Sequence, residues 1–357
     1  MKNFLSIGLI SLLLFLGGCI PKKSKEVKKI QLSNVYFSSN EGEVFTPLEV
    51  FREKSEDIPK GLVSHINFSP LDSRYIYIAT NKGIWYSFPK EGFSPGSYWK
   101  LISKEIGIRG SKNLITSVAI DPLDPSRVYF SGIIRKYSRI YKLVEFKPDS
   151  QKWKEIFSEP DPKIVITDLE IIKNKPNIII AASTSGNIYK SENYGEDWTL
   201  LYRFNFSIFD LAIDPSGNMI LAATKKGVFK SEDGGKSFTL ISSSIAKEEL
   251  EINSIRIFPT NPNIFYFSTE KAIFVSFDRG KSFEKVTQLF SLKGVPILTF
   301  ALDPKDFTKL YFSTESVLYK ARKSGKKWIF KPLLSDKKVV AIAVDHYNPK
   351  KIYIGIR

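Results

Sequence analysis

Cysteine and histidine are almost absent from this sequence of 357 residues, which contains one cysteine and two histidines. Because Cys19 has no second thiol to pair with, the chain cannot form an internal disulfide or a cysteine-based metal cluster. His65 and His346 lie far apart in the sequence, whereas most zinc sites and many acid–base mechanisms depend on histidine. We therefore expect no metal site and no cofactor.

Acidic residues are scarce relative to basic ones. The sequence has 53 lysine and arginine residues against 37 aspartate and glutamate residues, a formal net charge of +16. This excess favours anionic partners such as lipid headgroups or acidic glycans. A lysine-rich solvated surface without a dedicated partner would give the same balance, so both interpretations stay open.

The longest apolar run, residues 4–16, is shorter than the ~20 residues that span a bilayer, and it follows a short cationic start. This pattern is typical of a signal peptide. The run leads into Leu16-Gly17-Gly18-Cys19, where two glycines before a cysteine fit a narrow peptidase groove. The tetrapeptide resembles the bacterial lipobox, which implies that residues 1–18 are removed and that Cys19 carries a lipid.

Residues 19–33 contain five lysines and too few apolar side chains to fold, so we predict a basic tether. Lysines near an anionic membrane add attraction of about 1 kcal/mol each at most. We expect an exported protein anchored to the cell envelope through Cys19, on the periplasmic face of the outer or inner membrane or at the cell surface.

A pattern of four short strands recurs along the rest of the chain. One copy covers residues 208–215, 219–224, 227–230 and 237–241. Its opening strand recurs at intervals of about 40 to 52 residues, a spacing typical of propeller blades. The copies are bounded by Gly, Pro, Asn or Asp and lack a helical period, which indicates strands and hairpins.

The turn between the third and fourth strands has its own signature, clearest in residues 191–198. An Asp or Asn side chain can accept backbone N–H groups across such a turn, and glycine takes the position of positive φ. The residues assigned to this turn are Ser191, Asn193, Gly195 and Trp198; Ser231, Asp233, Gly235 and Phe238; Ser276, Asp278, Gly280 and Phe283; and, near the N-terminus, Ser38, Asn40, Gly42 and Phe45.

The count of repeats predicts how the chain closes. Six complete units begin near residues 63, 115, 165, 207, 253 and 297, and residues 339–357 hold only the first two strands of a seventh. Residues 34–45 align without gaps with residues 187–198 and so supply the missing outer strands. We predict an all-β, seven-bladed β-propeller over residues 34–357, in which the N-terminal outer strands pair with the C-terminal inner strands.

The repeated turn resembles the Asp-box, or BNR motif, of propellers that include sialidases, xyloglucan-type glycoside hydrolases, sortilin-like receptors and photosystem II assembly-factor-like proteins. The resemblance implies that the motif is structural and lies on the lower face. Asn193, Asp233 and Asp278 are then turn formers and not catalytic groups.

Few sequence features point to catalysis. The F/Y-R-I-P signature of sialidases is absent near the first blade, and residues 254–259, which resemble it faintly, are better explained as an opening strand. A general glycosidase needs two carboxylates across a cleft. Glu270 and Glu315 occupy equivalent places in adjacent blades, although lysines accompany them and a mixed-charge loop set explains them equally well.

Two segments predicted as longer loops, residues 103–113 and 132–139, suggest binding instead. They carry Arg109, Arg135, Tyr137 and Arg139, a combination suited to carboxylates, phosphates or protein hot spots. Our leading prediction is a non-enzymatic, membrane-tethered scaffold for another envelope protein. The alternatives are a carbohydrate-active or glycan-binding propeller and a structural lipoprotein without a discrete site. No nucleic-acid-binding motif is present in the sequence.

Overall fold

The structure is a computed structural model that describes residues 28–52, 61–89, 98–108, 113–147, 150–245, 251–286 and 295–357. The predicted signal peptide, Cys19 and Arg109 lie outside these ranges. Among the described residues, no helix is long and apolar enough to cross a bilayer.

The described residues form short strands that pair antiparallel with their neighbours, together with a 3-10 turn at Lys104–Ile106. In chain order the strands are β1 (Lys28–Ser38), β2 (Thr46–Arg52), β3 (Val63–Phe68), β4 (Ile76–Thr80), β5 (Gly83–Ser87), β6 (Trp99–Leu101), β7 (Leu114–Ile120), β8 (Val128–Ile134), β9 (Tyr137–Lys147), β10 (Ser150–Ser158), β11 (Ile166–Ile171), β12 (Ile179–Ser183), β13 (Asn187–Ser191), β14 (Thr199–Arg203), β15 (Ile208–Ile213), β16 (Ile220–Thr224), β17 (Gly227–Ser231), β18 (Thr239–Leu240), β19 (Ile252–Ile257), β20 (Phe265–Thr269), β21 (Ile273–Ser276), β22 (Glu284–Lys285), β23 (Thr299–Asp303), β24 (Asp306–Ser313), β25 (Val317–Ser324), β26 (Lys327–Ser335), β27 (Val339–Val344) and β28 (Ile352–Ile356).

These strands form seven four-stranded sheets arranged as a ring, which confirms the predicted seven-bladed propeller. Blades 1 to 6 follow the chain, with β3–β6 in the first and β23–β26 in the sixth. Blade 7 has the order β2-β1-β28-β27, so the two ends of the chain share one sheet as predicted. Val35 pairs with Gly355, and Ser38 pairs with Ile352. Since β1 begins at Lys28, residues 28–33, which the sequence assigned to the tether, belong to this sheet.

The core lies between adjacent blades. The second strands β4, β12, β16, β20 and β28 are buried at every residue, because neighbouring sheets cover both of their faces. Between blades 4 and 5, for example, Leu221, Phe265 and Phe267 pack together with no exposed surface. Each such side chain contributes about 1.5–3 kcal/mol by leaving water, and this burial holds the blades in register.

The inner strands share a β-bulge near their starts. In six of the seven blades, one residue has no partner in the pairing of the first and second strands. A bulge bends the strand and re-aims its side chains, so two successive residues can face the axis. The bulged residues are Ser64, Thr116, Thr167, Phe209, Asn253 and Val340.

The pairing also defines two faces of the ring. Ile166 at the start of β11 pairs with Ser183 at the end of β12, so each inner strand begins beside the turn between the second and third strands. We call the face that carries these two features the upper face. The turns between third and fourth strands lie on the opposite, lower face.

The four complete turns with the predicted signature share one hydrogen-bond pattern on the lower face. In the turn of blade 4, the Ser231 hydroxyl donates to Asp233 at 2.7 Å and accepts the Gly235 N–H at 2.8 Å. Asp233 also accepts the Ser237 N–H at 3.0 Å. The φ angles of the glycines, +83° to +92°, lie in the left-handed region. The aromatic residues of two of these turns pack against the preceding blade, Trp198 on Phe157 and Phe238 on Tyr202.

Candidate functional site

A cavity of about 450 Å³ lies among the inner strands of blades 1 to 5. Its wall is mainly polar and comes from β3, β7, β11, β15 and β19. The lining begins at the bulges, where consecutive residues such as Thr167 and Asp168 both contribute to the wall. The lining continues to Ile120 and Ile171, the last residues of β7 and β11, so the cavity extends along the inner strands from the upper face toward the lower face. We call it the central cavity.

Five titratable residues line the central cavity at two levels. His65, Asp168 and Asp210 each follow the bulge of their strand directly. Glu170 and Arg256 each come two residues after that position in β11 and β19. Residues two apart on a strand share a face. The two levels of titratable groups therefore lie about 7 Å apart along the axis of the ring.

Arg256 and Asp210 form an ion pair across blades 4 and 5. The Arg256 Nη1 donates to the Asp210 carboxylate and, at 2.6 Å, to the carbonyl of Ile255. The same carboxylate oxygen accepts the Ser254 hydroxyl at 2.7 Å and the Ile255 N–H at 2.9 Å. The Asp210 side chain is 12% exposed, whereas the Arg256 side chain is 47% exposed. Asp210 is therefore saturated with donors, and the guanidinium is still accessible from the cavity.

Asp168 lies next to this pair. Its carboxylate accepts the Ser117 hydroxyl at 2.9 Å and the Leu211 N–H at 3.0 Å. Burial, with a further contribution from the charge of Asp210, raises the pKa of Asp168 to about 7. The carboxyl of Asp168 is therefore a mixture of charged and neutral forms near neutral pH.

Glu170 is the least satisfied of the acids. Within the described residues, no hydrogen bond or ion pair reaches its carboxyl group. Burial, and after it the charge of Asp168, raises the pKa of Glu170 well above its ordinary value. Glu170 therefore keeps its proton to a higher pH than an ordinary glutamate, although the charge of Arg256 acts in the opposite direction.

His65 completes the wall from blade 1. Burial, reinforced by the charge of Arg256, lowers the pKa of His65 to about 4, so the imidazole is neutral near neutral pH. Its Nδ1 atom is shielded from solvent and has no hydrogen-bond partner in the part of the chain that the structure describes. His65 therefore adds polarity to the cavity without adding positive charge.

The segment predicted as a long loop at residues 132–139 is instead a tight hairpin. β8 and β9 extend through it, and Ile134 pairs with Tyr137 around a two-residue turn of Arg135 and Lys136. The prediction of a loop was wrong because the extra length goes into two longer strands. The turn joins the second and third strands of blade 2 and thus lies on the upper face. We call residues 134–139 the basic hairpin.

The turn of the basic hairpin is strained. Arg135 and Lys136 have φ angles of +51° and +85°. In two-residue turns, positions with such positive φ angles are usually occupied by Asn and Gly. Both side chains are exposed. Arg139 pairs with Glu155 at 2.6 Å, and its guanidinium lies 5.9 Å from the centre of the Tyr137 ring.

The described part of the 103–113 segment reaches this hairpin. A Cβ atom placed on Gly107 would lie 3.6 Å from the Arg135 guanidinium. The two segments that the sequence singled out therefore adjoin on one side of the ring, although Arg109 lies outside the described residues.

The two glutamates proposed as a carboxylate pair lie elsewhere. Glu270 and Glu315 are exposed in upper-face turns of blades 5 and 6, and neither lines the central cavity. Glu315 pairs with Lys338 at 3.2 Å. Among the described residues, no group of three His, Cys, Asp or Glu side chains could hold a metal ion.

The sequence patterns described above do not predict the central cavity. The sequence pattern predicts an opening strand at residues 254–259 but gives no role to the charge of Arg256. A signal was present: Asp168 and Glu170 occupy strand positions at which blade 7 has Ala341 and Ala343. Charged side chains within the strands of a buried repeat need either an ion-pair partner or a cavity that solvent can reach.

Residues 226–354 match the model of the family described as Sortilin, neurotensin receptor 3 (Sortilin-Vps10). Comparison with curated protein sequences gives no match. The sequence match thus covers a little over a third of the chain, in the C-terminal blades.

Solved structures with the same fold include two proteins named YCF48. A structure described as YCF48 bound to D1 peptide has 13% identity and a TM-score of 0.60, covering 93% of this chain and 97% of that one. YCF48 from Cyanidioschyzon merolae has 14% identity and a TM-score of 0.59, covering 84% and 98%.

A second group consists of glycoside hydrolases. The GH74 xyloglucanase from Xanthomonas campestris has 13% identity and a TM-score of 0.66, covering 92% of this chain and 52% of that one. The GH74 enzyme of Niastella koreensis has 14% identity and a TM-score of 0.64, covering 83% and 51%. This chain therefore spans about half the length of these enzymes, and the likeness shows a shared propeller fold.

Proposed function

We propose that this chain is a membrane-tethered, non-catalytic scaffold whose upper face binds a segment of another envelope protein. The observation that carries the proposal is the basic hairpin, which presents two exposed cations, Arg135 and Lys136, from a strained turn. A left-handed conformation costs a non-glycine residue about 1 kcal/mol or more. Strain of this kind is typical of segments whose side chains serve binding or catalysis.

The chemistry of the hairpin indicates what it binds. Arg135 and Lys136 are free of ion pairs within the described residues, whereas Arg139 is fixed by Glu155 and packs beside Tyr137. A fixed arginine beside an aromatic ring, flanked by free cations, suits an acidic protein segment. The structure described as YCF48 bound to D1 peptide supports the idea that a propeller of this size can hold a peptide.

A carbohydrate-active propeller is the second candidate, favoured by one observation. The raised pKa of Glu170 is what a general acid needs. Against it, Phe209 is the single aromatic side chain in the wall of the described cavity, so a stacking platform for a sugar ring is poorly provided. Release of reducing ends from xyloglucan by the wild type, lost in Glu170→Gln, would establish this candidate in place of the scaffold.

Attachment to the membrane belongs to the same proposal and has its own test. Cells supplied with a labelled fatty acid should incorporate the label into the wild-type chain and not into a Cys19→Ser variant. Equal incorporation in the two proteins would contradict the lipid anchor.

The scaffold function is tested by affinity capture with the full chain from gently solubilised envelopes. We expect a stoichiometric protein partner whose recovery falls by about tenfold or more in the double variant Arg135→Glu, Lys136→Glu. The matched control is Lys173→Glu, Lys175→Glu, which reverses two exposed charges in a lower-face turn of blade 3. Failure to recover a partner, or equal recovery by both variants, would contradict the proposal.

A further inference from the structure

More acidic than basic groups line the central cavity, in contrast to the protein as a whole. Three carboxyl groups, those of Asp168, Glu170 and Asp210, line it together with a single guanidinium, that of Arg256. The chain as a whole carries a net charge of +16. An acidic cavity in so basic a protein has no stabilising purpose, because burial of unpaired acids lowers stability.

The groups that face these acids do not neutralise them. From β3 the cavity receives neutral His65, and from β7 the uncharged Thr116 and Ser117. From β19 comes Arg256, whose Nη1 is already bound to Asp210. The charge of Arg256 also favours the charged forms of Asp168 and Glu170, but within the described residues no ion pair joins either carboxyl group to a cation.

The carboxyl oxygens of Asp168 and Glu170 can accept more hydrogen bonds than they receive within the described residues. A carboxylate has two oxygens and about four acceptor sites. Asp168 uses two sites, for Ser117 and Leu211, while Glu170 uses none within the described residues. These free sites can accept the hydrogens of an ammonium or guanidinium group.

We propose that the central cavity binds one primary ammonium or guanidinium group, which ion-pairs with Glu170 and Asp168. The volume of about 450 Å³ suits a small amine or a basic side chain, since ligand sites begin at about 300 Å³. The inference rests on the cavity and not on the scaffold function, and it holds for a free amine and for a lysine or arginine of a bound protein.

Binding of the cation is coupled to the release of protons from the carboxyl groups of the cavity. Without a ligand, the pKa of Asp168 is about 7, and the pKa of Glu170 is raised well above its ordinary value. A cation beside them favours the charged carboxylates, so it displaces protons from the cavity when it binds. Affinity should therefore increase as the pH rises from about 6 to 8, and calorimetry in buffers of different ionisation enthalpy should detect the released protons.

The test is calorimetric titration of the full chain in detergent with two probes, butylammonium and Nα-acetyl-lysine methylamide. Neutral butanol is the control for apolar contacts. We expect saturable binding of one cation per chain, no binding of butanol, and a dissociation constant several times lower at about pH 8 than at pH 6. A clear preference for butylammonium indicates a free amine as the natural ligand, and a preference for the lysine derivative indicates a protein side chain; both support the cation site.

Two variants distinguish binding in the central cavity from a general effect of the protein's negative charges. Glu170→Gln should weaken binding by about tenfold or more, because it removes the unpartnered carboxylate. Glu315→Gln, a change of the same kind at an exposed turn, should leave binding unchanged. Thermal unfolding checks that Glu170→Gln folds, and Asp168→Asn serves as a second variant. Absence of saturable binding at about 10 mM probe, or equal binding by wild type and Glu170→Gln, would overturn the proposal.

Discussion

The raised pKa of Asp168 makes a quantitative prediction about stability. In the folded protein this carboxyl keeps its proton up to a pH of about 7, whereas its ordinary pKa is 3.8. Between these values the folded state binds more protons than the unfolded state. The free energy of unfolding should therefore fall as the pH rises from about 4 to 7 and should change little with this group above that range.

The size of the effect follows from the shift. About three pKa units correspond to about 4 kcal/mol, and water in the cavity lowers this to about 2–4 kcal/mol. Asp168→Asn cannot lose a proton. The amide fits the site, since its oxygen can accept the Leu211 N–H and its nitrogen can donate to the Ser117 hydroxyl. The variant should match the wild type near pH 4 and exceed it by about 2–4 kcal/mol near pH 8.

The assay is thermal unfolding of both proteins across this pH range, followed by circular dichroism. For a chain of this length, the expected gain near pH 8 is about 3–6 °C in the melting temperature. Glu270→Gln, which removes a carboxyl from an exposed turn, is the control and should show no such pH-dependent gain. Parallel profiles for wild type and Asp168→Asn would refute the idea that this carboxyl is held protonated by burial.

Four further variants test the turns by denaturant unfolding. Gly186→Ala should cost about 2–4 kcal/mol, because φ is +86° and the new Cβ would lie 2.5 Å from two backbone oxygens. Gly325→Ala, with φ of +59° and open space around it, should cost only about 1 kcal/mol, and equal losses would contradict the steric argument. Ser231→Ala should cost about 1–3 kcal/mol, since it leaves the buried Gly235 N–H without its acceptor. Replacing Arg135 and Lys136 by Asn and Gly should instead stabilise the protein by about 1–2 kcal/mol; a loss of stability would show that the turn is not strained.

The number of blades and the closure of the ring could be predicted because each repeat contains a turn whose residue types are fixed by local hydrogen bonds and backbone angles. Each complete turn needs a serine, an Asp or Asn and a glycine at fixed offsets, and Ser38, Asn40 and Gly42 show that pattern at the N-terminus. The N-terminal end of the chain carries a copy of the turn between the third and fourth strands, and the C-terminal end carries a first and a second strand without a third and a fourth. The two ends must therefore share one sheet.

The central cavity could not be predicted in the same way. Whether Asp168 faces the axis or a neighbouring blade depends on a bulge of one residue at Thr167, and a shift of one position reverses the face. Bulges of this kind have no strong sequence signal. The tight turn at Arg135 was missed for a related reason, since neither arginine nor lysine is typical of a turn with two positive φ angles.

Site-specific photocrosslinking tests most directly whether the upper face is the binding face. A photoreactive residue at position 136 lies in the exposed turn of the basic hairpin, and one at position 175 lies in an exposed turn of the lower face. In intact cells, we predict one discrete protein adduct from position 136 and none from position 175. Adducts of equal yield from the two positions, or an adduct from position 175 alone, would contradict the account.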